Sequence, residues 1–276
     1  MSIAASGIAI DGFATPPAIV LEAVGKSFRL DGRREVEALS AMSLHVDRGE
    51  FVALIGPSGC GKSTVLRMIA ALEIPSAGSV TVAGRAPAEL VAAHRLGIAF
   101  QEHALLPWLD VVGNIALPYR VCGQRVDASR LTALIALVGL TGFERARPKQ
   151  LSGGMRQRAA IARALVLSPE ILLLDEPFGA HDAVTRRYMN LELQRIWLEQ
   201  RISTLLVTHD VDEAVLLADR VIVMSRRPGR VEQVLAVPFE RPRRPHIMRS
   251  EAFHRLTDEL TMTLQAGLLG ATGEVG

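Results

Sequence analysis

Between residues 51 and 72 the chain runs FVALI, then Gly56-Pro57-Ser58-Gly59-Cys60-Gly61-Lys62-Ser63, then Val65, Leu66, Met68, Ile69 and Leu72 at helical spacing. A short apolar strand that stops at a glycine-rich turn and resumes as a helix is the phosphate-binding loop pattern. The residue types follow from the chemistry. Glycines let the backbone wrap tightly with its N–H groups turned inward, and the helix presents its positive N-terminal end to an anion. In such a loop Lys62 reaches the β- and γ-phosphates, the Ser63 hydroxyl takes a Mg2+ ion, and Thr64 touches the α-phosphate. A glycine-rich turn without function would not need a buried strand on one side and an amphipathic helix on the other.

A second element supplies acid. Ile171-Leu172-Leu173-Leu174-Asp175-Glu176 is a buried-looking strand ending in two adjacent carboxylates. Buried charge is costly unless something compensates it. Asp175 is placed to organise a Mg2+ shell, and Glu176 to orient and deprotonate an attacking water, a role worth typically about 10²- to 10⁴-fold in rate. The plainer alternative is an acidic pair that opens a helix.

Further apolar runs at 19–24, 39–46, 97–100, 203–207 and 221–224, several separated by helical patterns, point to an α/β fold around a parallel sheet. Residues 102–165 differ. They read as helical, interrupted at Pro107, Pro118 and Pro148, with no strong strand, and are taken as an inserted helical subdomain. Within them Leu131, Leu134, Ile135 and Val138 mark an amphipathic helix. Residues 1–18 read as a disordered lead, without the positive charge of a secretory signal. Residues 246–276 read as a tail ending in an amphipathic helix around 249–264.

No apolar run approaches the roughly 18–20 residues that span a bilayer. The net charge of +2 does not announce a nucleic-acid partner, and none is expected. Cys60 and Cys122, far apart and without a CxxC, argue for a reducing compartment. A soluble, cytoplasmic protein is the expectation.

Leu151-Ser152-Gly153-Gly154-Met155-Arg156-Gln157 resembles the signature loop of ABC-transporter ATPases, and the resemblance extends over residues 19–240. It implies a phosphate-loop NTPase core with a mostly parallel sheet, an antiparallel β subdomain and the inserted helical subdomain, together forming an ATPase domain over 19–245. It also implies roles for single residues. Phe28 resembles the aromatic that stacks on adenine, and Gln101 the glutamine that touches Mg2+ and senses the γ-phosphate. His209 resembles the histidine at the γ-phosphate. Gly179-Ala180-His181-Asp182 resembles the loop joining the two sites of a dimer, with His181 where leucine is usual. Taken alone, Phe28, Gln101 or His209 would read as core or as an ordinary polar side chain.

The mechanism so implied is ATP hydrolysis in a two-fold homodimer. Ser152, Gly153 and Gly154 of one subunit close over ATP held by the other, and closure drives integral-membrane permease subunits fed by a separate substrate-binding protein. The ATPase would lie peripherally on the inner face of the membrane. Met155, the GGMRQR form of the signature, Leu105-Leu106-Pro107-Trp108 and Arg227-Pro228-Gly229-Arg230 resemble the nitrate, sulfonate and taurine importers. The solute is left open among nitrate, an organic sulfonate and a pyrimidine precursor.

Trp108 lines the groove for a membrane subunit or packs inside the helical subdomain. Arg241, Arg243 and Arg244 form a solvated basic face or approach lipid. For Cys60, the expectation is an accessible thiol shifted toward thiolate by the helix N-terminus, with an inert small residue as the alternative. Non-transport ABC ATPases carry coiled-coil insertions or tandem cassettes, and GTPases an NKxD motif, neither of which is present here. A purely regulatory ATP-binding module is disfavoured by Glu176 and His209.

Overall fold

The structure, a computed structural model, describes residues 16–30, 34–179 and 182–269. Most of the expected lead, and His181, lie outside the described residues.

Two sheets organise the chain. Strands β1 (Ile19–Leu30), β2 (Arg34–Val46) and β4 (Ala77–Val82) form an antiparallel sheet in the order β2-β1-β4. The larger sheet contains β3 (Phe51–Ile55), β5 (Leu96–Ala99), β6 (Ile171–Asp175), β7 (Ser203–Val207), β8 (Arg220–Met224) and β9 (Val231–Ala236). Its order is β5-β6-β7-β3-β8-β9, parallel except for β9. Strand β3 lies between β7 and β8 and all five of its residues are buried, which is why FVALI carries no polar residue. Phosphate-loop α/β architecture with an added antiparallel sheet is thus the observed fold class. Strand β1 runs beyond the expected 19–24, and β4 and β9 were not anticipated.

Helices cover the stretch that the sequence sets apart. They are α3 (Val111–Ile115), α4 (Leu117–Val121), α5 (Ala128–Leu137) and α6 (Gly153–Leu165), with a 3-10 turn at Pro148–Gln150. Two of the expected breaks are starts: Pro118 sits in the first turn of α4 and Pro148 opens the 3-10 turn, positions where a missing N–H costs nothing. Helix α5 buries Leu131, Leu134 and Ile135 and ends before Gly139, whose φ of +63° is a left-handed stop. Trp108 is 66 % exposed, so it is not internal packing.

The basic cluster near residue 243 corrects the expectation of a solvated or lipid-facing patch. Arg243 is 2 % exposed, and its Nη1 donates to the carbonyls of Val215 (2.9 Å), Leu216 (3.2 Å) and Ala218 (2.6 Å). It thereby caps the C-terminal end of α8 (Val211–Leu217), whose last carbonyls have no partner within the helix. Arg241 lies over the Trp197 ring at 4.4 Å and donates through Nε to Asp219 at 2.8 Å. Only Arg244 of the three is exposed. Burial lowers the Arg243 guanidinium to about 10, still charged at neutral pH. Helix α9 (Glu251–Leu269) then seals the same core with Phe253 and Leu260. None of the helices is long and apolar enough to cross a membrane among the described residues.

Candidate nucleotide site

The glycine-rich turn leaves β3 at Ile55 and re-enters helix at α1 (Lys62–Ile69). Gly59 (φ +74°) and Gly61 (φ +105°) hold the left-handed conformations that make the wrap possible. At Gly61 a Cβ would also lie 2.6 Å from Leu39 Cδ2. Lys62 is buried and folds back over the turn, its Nζ donating to the carbonyls of Gly56 (2.7 Å) and Pro57 (3.0 Å). A cavity of about 420 Å³ opens here, lined by Ser58, Gly59, Gly61, Lys62, Ser63 and Thr64, by Glu176, and by Phe28 on the β1 side. The half-buried Phe28 ring carries Lys26 Nζ 4.9 Å from its centroid, and Glu73 fixes that ammonium at 2.9 Å.

Cys60 departs from expectation. Its side chain is 1 % exposed, and a Cβ on Gly56 would meet its Sγ at 2.8 Å, so the thiol points into the core rather than into the cavity. Burial raises the thiol pKa, and the charge of Lys62 offsets this only in part. The inert-residue alternative holds: Cys60 contributes its backbone.

The acidic pair emerges from β6, next to β7 and one strand further from β3. Asp175 Oδ1 lies 3.4 Å from Ser63 Oγ, so strand end and loop meet. Burial, then the neighbouring Glu176, pushes the Asp175 carboxyl upward, while Ser63, Arg67 and Lys62 pull it down. Two crowded carboxylates beside a hydroxyl form a donor set that suits Mg2+, an oxygen-seeking cation. Glu176 adopts φ +43°, its N–H donating to Val207 O at 2.8 Å, and its Oε2 lies 3.2 Å from His209 Nδ1. Gln101 converges on the same spot, since a Cβ on Gly179 would lie 3.4 Å from Glu176 Oε2 and 3.6 Å from Gln101 Nε2. Asp175, Glu176, Gln101 and His209 are therefore gathered at the C-terminal ends of adjacent strands, beside the phosphate loop.

Of that group only Glu176 lines the phosphate-loop cavity, and the signature residues are not brought to it. Ser152 caps α6, its Oγ accepting from Met155 N at 3.2 Å, and with Gly153, Gly154 and Met155 it lines a second cavity of about 380 Å³. The remaining walls are Arg158 from α6 and Asp182, Thr185, Tyr188 and Met189 from the start of α7 (Ala183–Gln200). Asp182 caps α7 through the N–H groups of Val184 and Thr185, both at 3.0 Å. These bonds and the Thr185 hydroxyl hold its carboxyl below the usual range. The two cavities share no lining residue.

Two features escaped the sequence reading. Glu213, four residues past His209, is buried with its carboxyl raised to about 7, first by burial. The turn at 225–230 packs against the phosphate loop so closely that a Cβ on Gly229 would lie 2.1 Å from Cys60 O. Only its resemblance to importer sequences had been noted.

Comparison with known proteins bears on family and fold. Residues 39–179 match the family described as ABC transporter. The nitrate import ATP-binding protein NrtD of Synechococcus elongatus is 44 % identical over 227 residues, 80 % of this chain and 82 % of that protein. The aliphatic sulfonates import ATP-binding protein SsuB of Bacillus cereus is 38 % identical over 251 residues, 90 % and 96 % of the two chains. Among solved structures, the dimeric ATP-binding cassette MJ0796 in a post-hydrolysis state, bound to ADP and Pi, superposes with a TM-score of 0.69 at 31 % identity, covering 80 % of this chain and all of that one. The chain belongs to the ABC transporter family, as one of its ATPases.

Proposed function

We propose that this chain is the ATP-hydrolysing subunit of a multi-subunit ABC importer and works as a homodimer. The separation of the two cavities carries the reading. The phosphate loop and Glu176 face one cavity, and the Ser152-Gly153-Gly154 helix start faces the other. A second copy, related by a two-fold axis, can cover each phosphate loop with the other's signature. Near the second cavity Val184 is 82 % and Tyr188 56 % exposed, a surface suited to being covered.

The residue roles follow. Gly56 to Gly61, with Pro57, Ser58 and Cys60 acting through the backbone, cradle the phosphates. Lys62 swings its ammonium from the loop carbonyls to the β- and γ-phosphates, Thr64 meets the α-phosphate, and Phe28 stacks on the adenine. Ser63, Gln101 and Asp175 would hold Mg2+, which would supply charge neutralisation to the polyphosphate. Glu176 takes a proton from the attacking water, and His209, 3.2 Å from its carboxylate, orients it and faces the γ-phosphate. From the other subunit, Ser152, Gly153, Gly154 and Asp182 close the site.

The relatives named for nitrate, aliphatic sulfonates and bicarbonate favour a small oxyanion or sulfonate such as nitrate or taurine as cargo. A separate binding protein and membrane-embedded permease subunits would select it, with this subunit peripheral on the cytoplasmic face. Stimulation of ATPase activity by one of these solutes, in vesicles containing the permease and binding protein, tests the cargo.

Glu176→Gln tests the scheme itself. Removing the base should stall hydrolysis while leaving both cradles able to hold phosphate. Size-exclusion chromatography should show a dimer with ATP and Mg2+, and a monomer without. A variant that stays monomeric at saturating ATP, or hydrolyses at the wild-type rate, contradicts it.

A further inference from the structure

Arg227 also lines the nucleotide cavity, opposite in sign to Glu176. It belongs to the turn between β8 and β9 rather than to any motif assigned above. Its guanidinium grips the phosphate loop, Nε and Nη2 donating to the Gly59 carbonyl at 3.3 and 3.2 Å. Those bonds occupy one edge of the fork. Five N–H donors are available, and the rest are not spent on Gly59.

The turn that carries it is fixed in place. Gly229 N donates to Ala38 O at 2.9 Å and Gly229 O accepts from Ser40 N at 3.1 Å, which ties the turn to β2. Ser225 and Arg230 close it, with Ser225 N donating to Arg230 O at 2.9 Å and Arg230 N to Ser225 Oγ at 3.1 Å. The close approach of Gly229 to Cys60 O leaves no room for the turn to slide along the loop. Arg227 is thus held at the cavity mouth while its side chain remains exposed.

Charge balance supplies the chemistry. The lining of this cavity includes two cations, Lys62 and Arg227, and one acid, Glu176. Lys62 is buried within the loop, so Arg227 is the cation at the solvent side. Among the described residues no carboxylate forms an ion pair with it. A planar guanidinium with unspent donors suits a phosphate oxygen better than any neutral group.

We propose that Arg227 is a further nucleotide-binding residue, contacting the polyphosphate from the turn between β8 and β9. The inference rests on the ATP-site reading above and adds a ligand to it. Nucleotide affinity should therefore fall with loss of its charge, and more steeply for ATP and ADP than for adenosine.

Titration of the full-length protein with fluorescent ATP and ADP analogues, and competition by adenosine, decides it. Arg227→Gln should raise the Kd for ATP and ADP about 10-fold or more, while adenosine binding stays within about 2-fold. Arg226→Gln, which removes an exposed charge one residue away that does not line the cavity, should leave all three within about 2-fold. Arg227→Lys keeps the charge and should recover most of the affinity. Equal losses in the Arg226 and Arg227 variants would reduce the effect to net charge and overturn the contact. So would an equal loss for adenosine, or a lysine variant as weak as the glutamine one, which would make Arg227 only a prop for Gly59. Wild-type protein that binds no nucleotide would overturn both the ATP-site reading and this one. Wild-type binding with an unchanged Arg227→Gln would overturn this one alone.

Discussion

Glu213 shows how one buried acid can set a pH dependence near neutrality. Its backbone N–H donates to the Asp210 carboxylate at 2.9 Å, and Thr208 reaches its carboxyl, but among the described residues Oε1 has no hydrogen-bond partner. The charges of Asp210 and, less strongly, Glu176 oppose ionisation of Glu213, while Arg186, 2.6 Å from Asp210, favours it. Burial is the larger cause, and the carboxyl stands at about 7 in the fold against 4.5 as a free side chain. The neutral form is therefore favoured by folding. Its contribution is complete below the unfolded pKa and is lost as pH rises through about 7, a change on the order of 3 kcal/mol. The melting temperature should fall between pH 5 and 8 in the wild type, and this slope should flatten in Glu213→Gln, as scanning calorimetry would report. An unchanged slope in the variant would assign the pH dependence to other groups.

At the scale of elements, α8 is held at both ends by side chains. Asp210 caps its N-terminus and Arg243 its C-terminus. Removing Arg243 strands the carbonyls it serves in the core, so Arg243→Ala should cost about 2–4 kcal/mol, measurable by urea unfolding. A loss below about 0.5 kcal/mol would mean that water replaces the cap. This element also marks the limit of legibility. The strands buried on both faces, such as FVALI and ILLLD, could be read from composition because almost every position is buried and so takes an apolar side chain. Strand β9 alternates half-buried and exposed positions at the sheet edge, and VEQVLA carries that alternation only weakly. In β4 three of six residues are exposed and Gly78 has φ +75°, so no apolar run marks it. The phosphate-loop and acidic-strand residues were legible because local spacing carries their chemistry. Arg227 and Arg243 were not, because their partners lie well over a hundred residues away for one and about 25 to 50 for the other. For Arg243, charge alone pointed to solvent.

At the scale of the whole molecule, the split between the two cavities makes an assembly test possible. Lys62→Ala damages only the phosphate-loop half of a site, and Ser152→Arg only the signature half. Each variant should be inactive alone. In a mixed dimer one site inherits both defects and the other none, so random mixing should restore roughly a quarter of the wild-type ATPase rate. Absence of any recovery would count against sites composed from two chains. Sheet order has a consequence of another kind, in the time domain of synthesis. Strand β3, which seats the phosphate loop, pairs on one side with 204–207 and on the other with 220–223. Both neighbours are translated about 150 residues later, on the order of 10–30 s at ribosomal speed. Until then the loop has no sheet to stand on, and ATP cannot act as a folding ligand for the nascent chain. FVALI, the most apolar strand of the site, waits unpaired through that interval, and it is the segment for which a chaperone at the tunnel exit has the most to do.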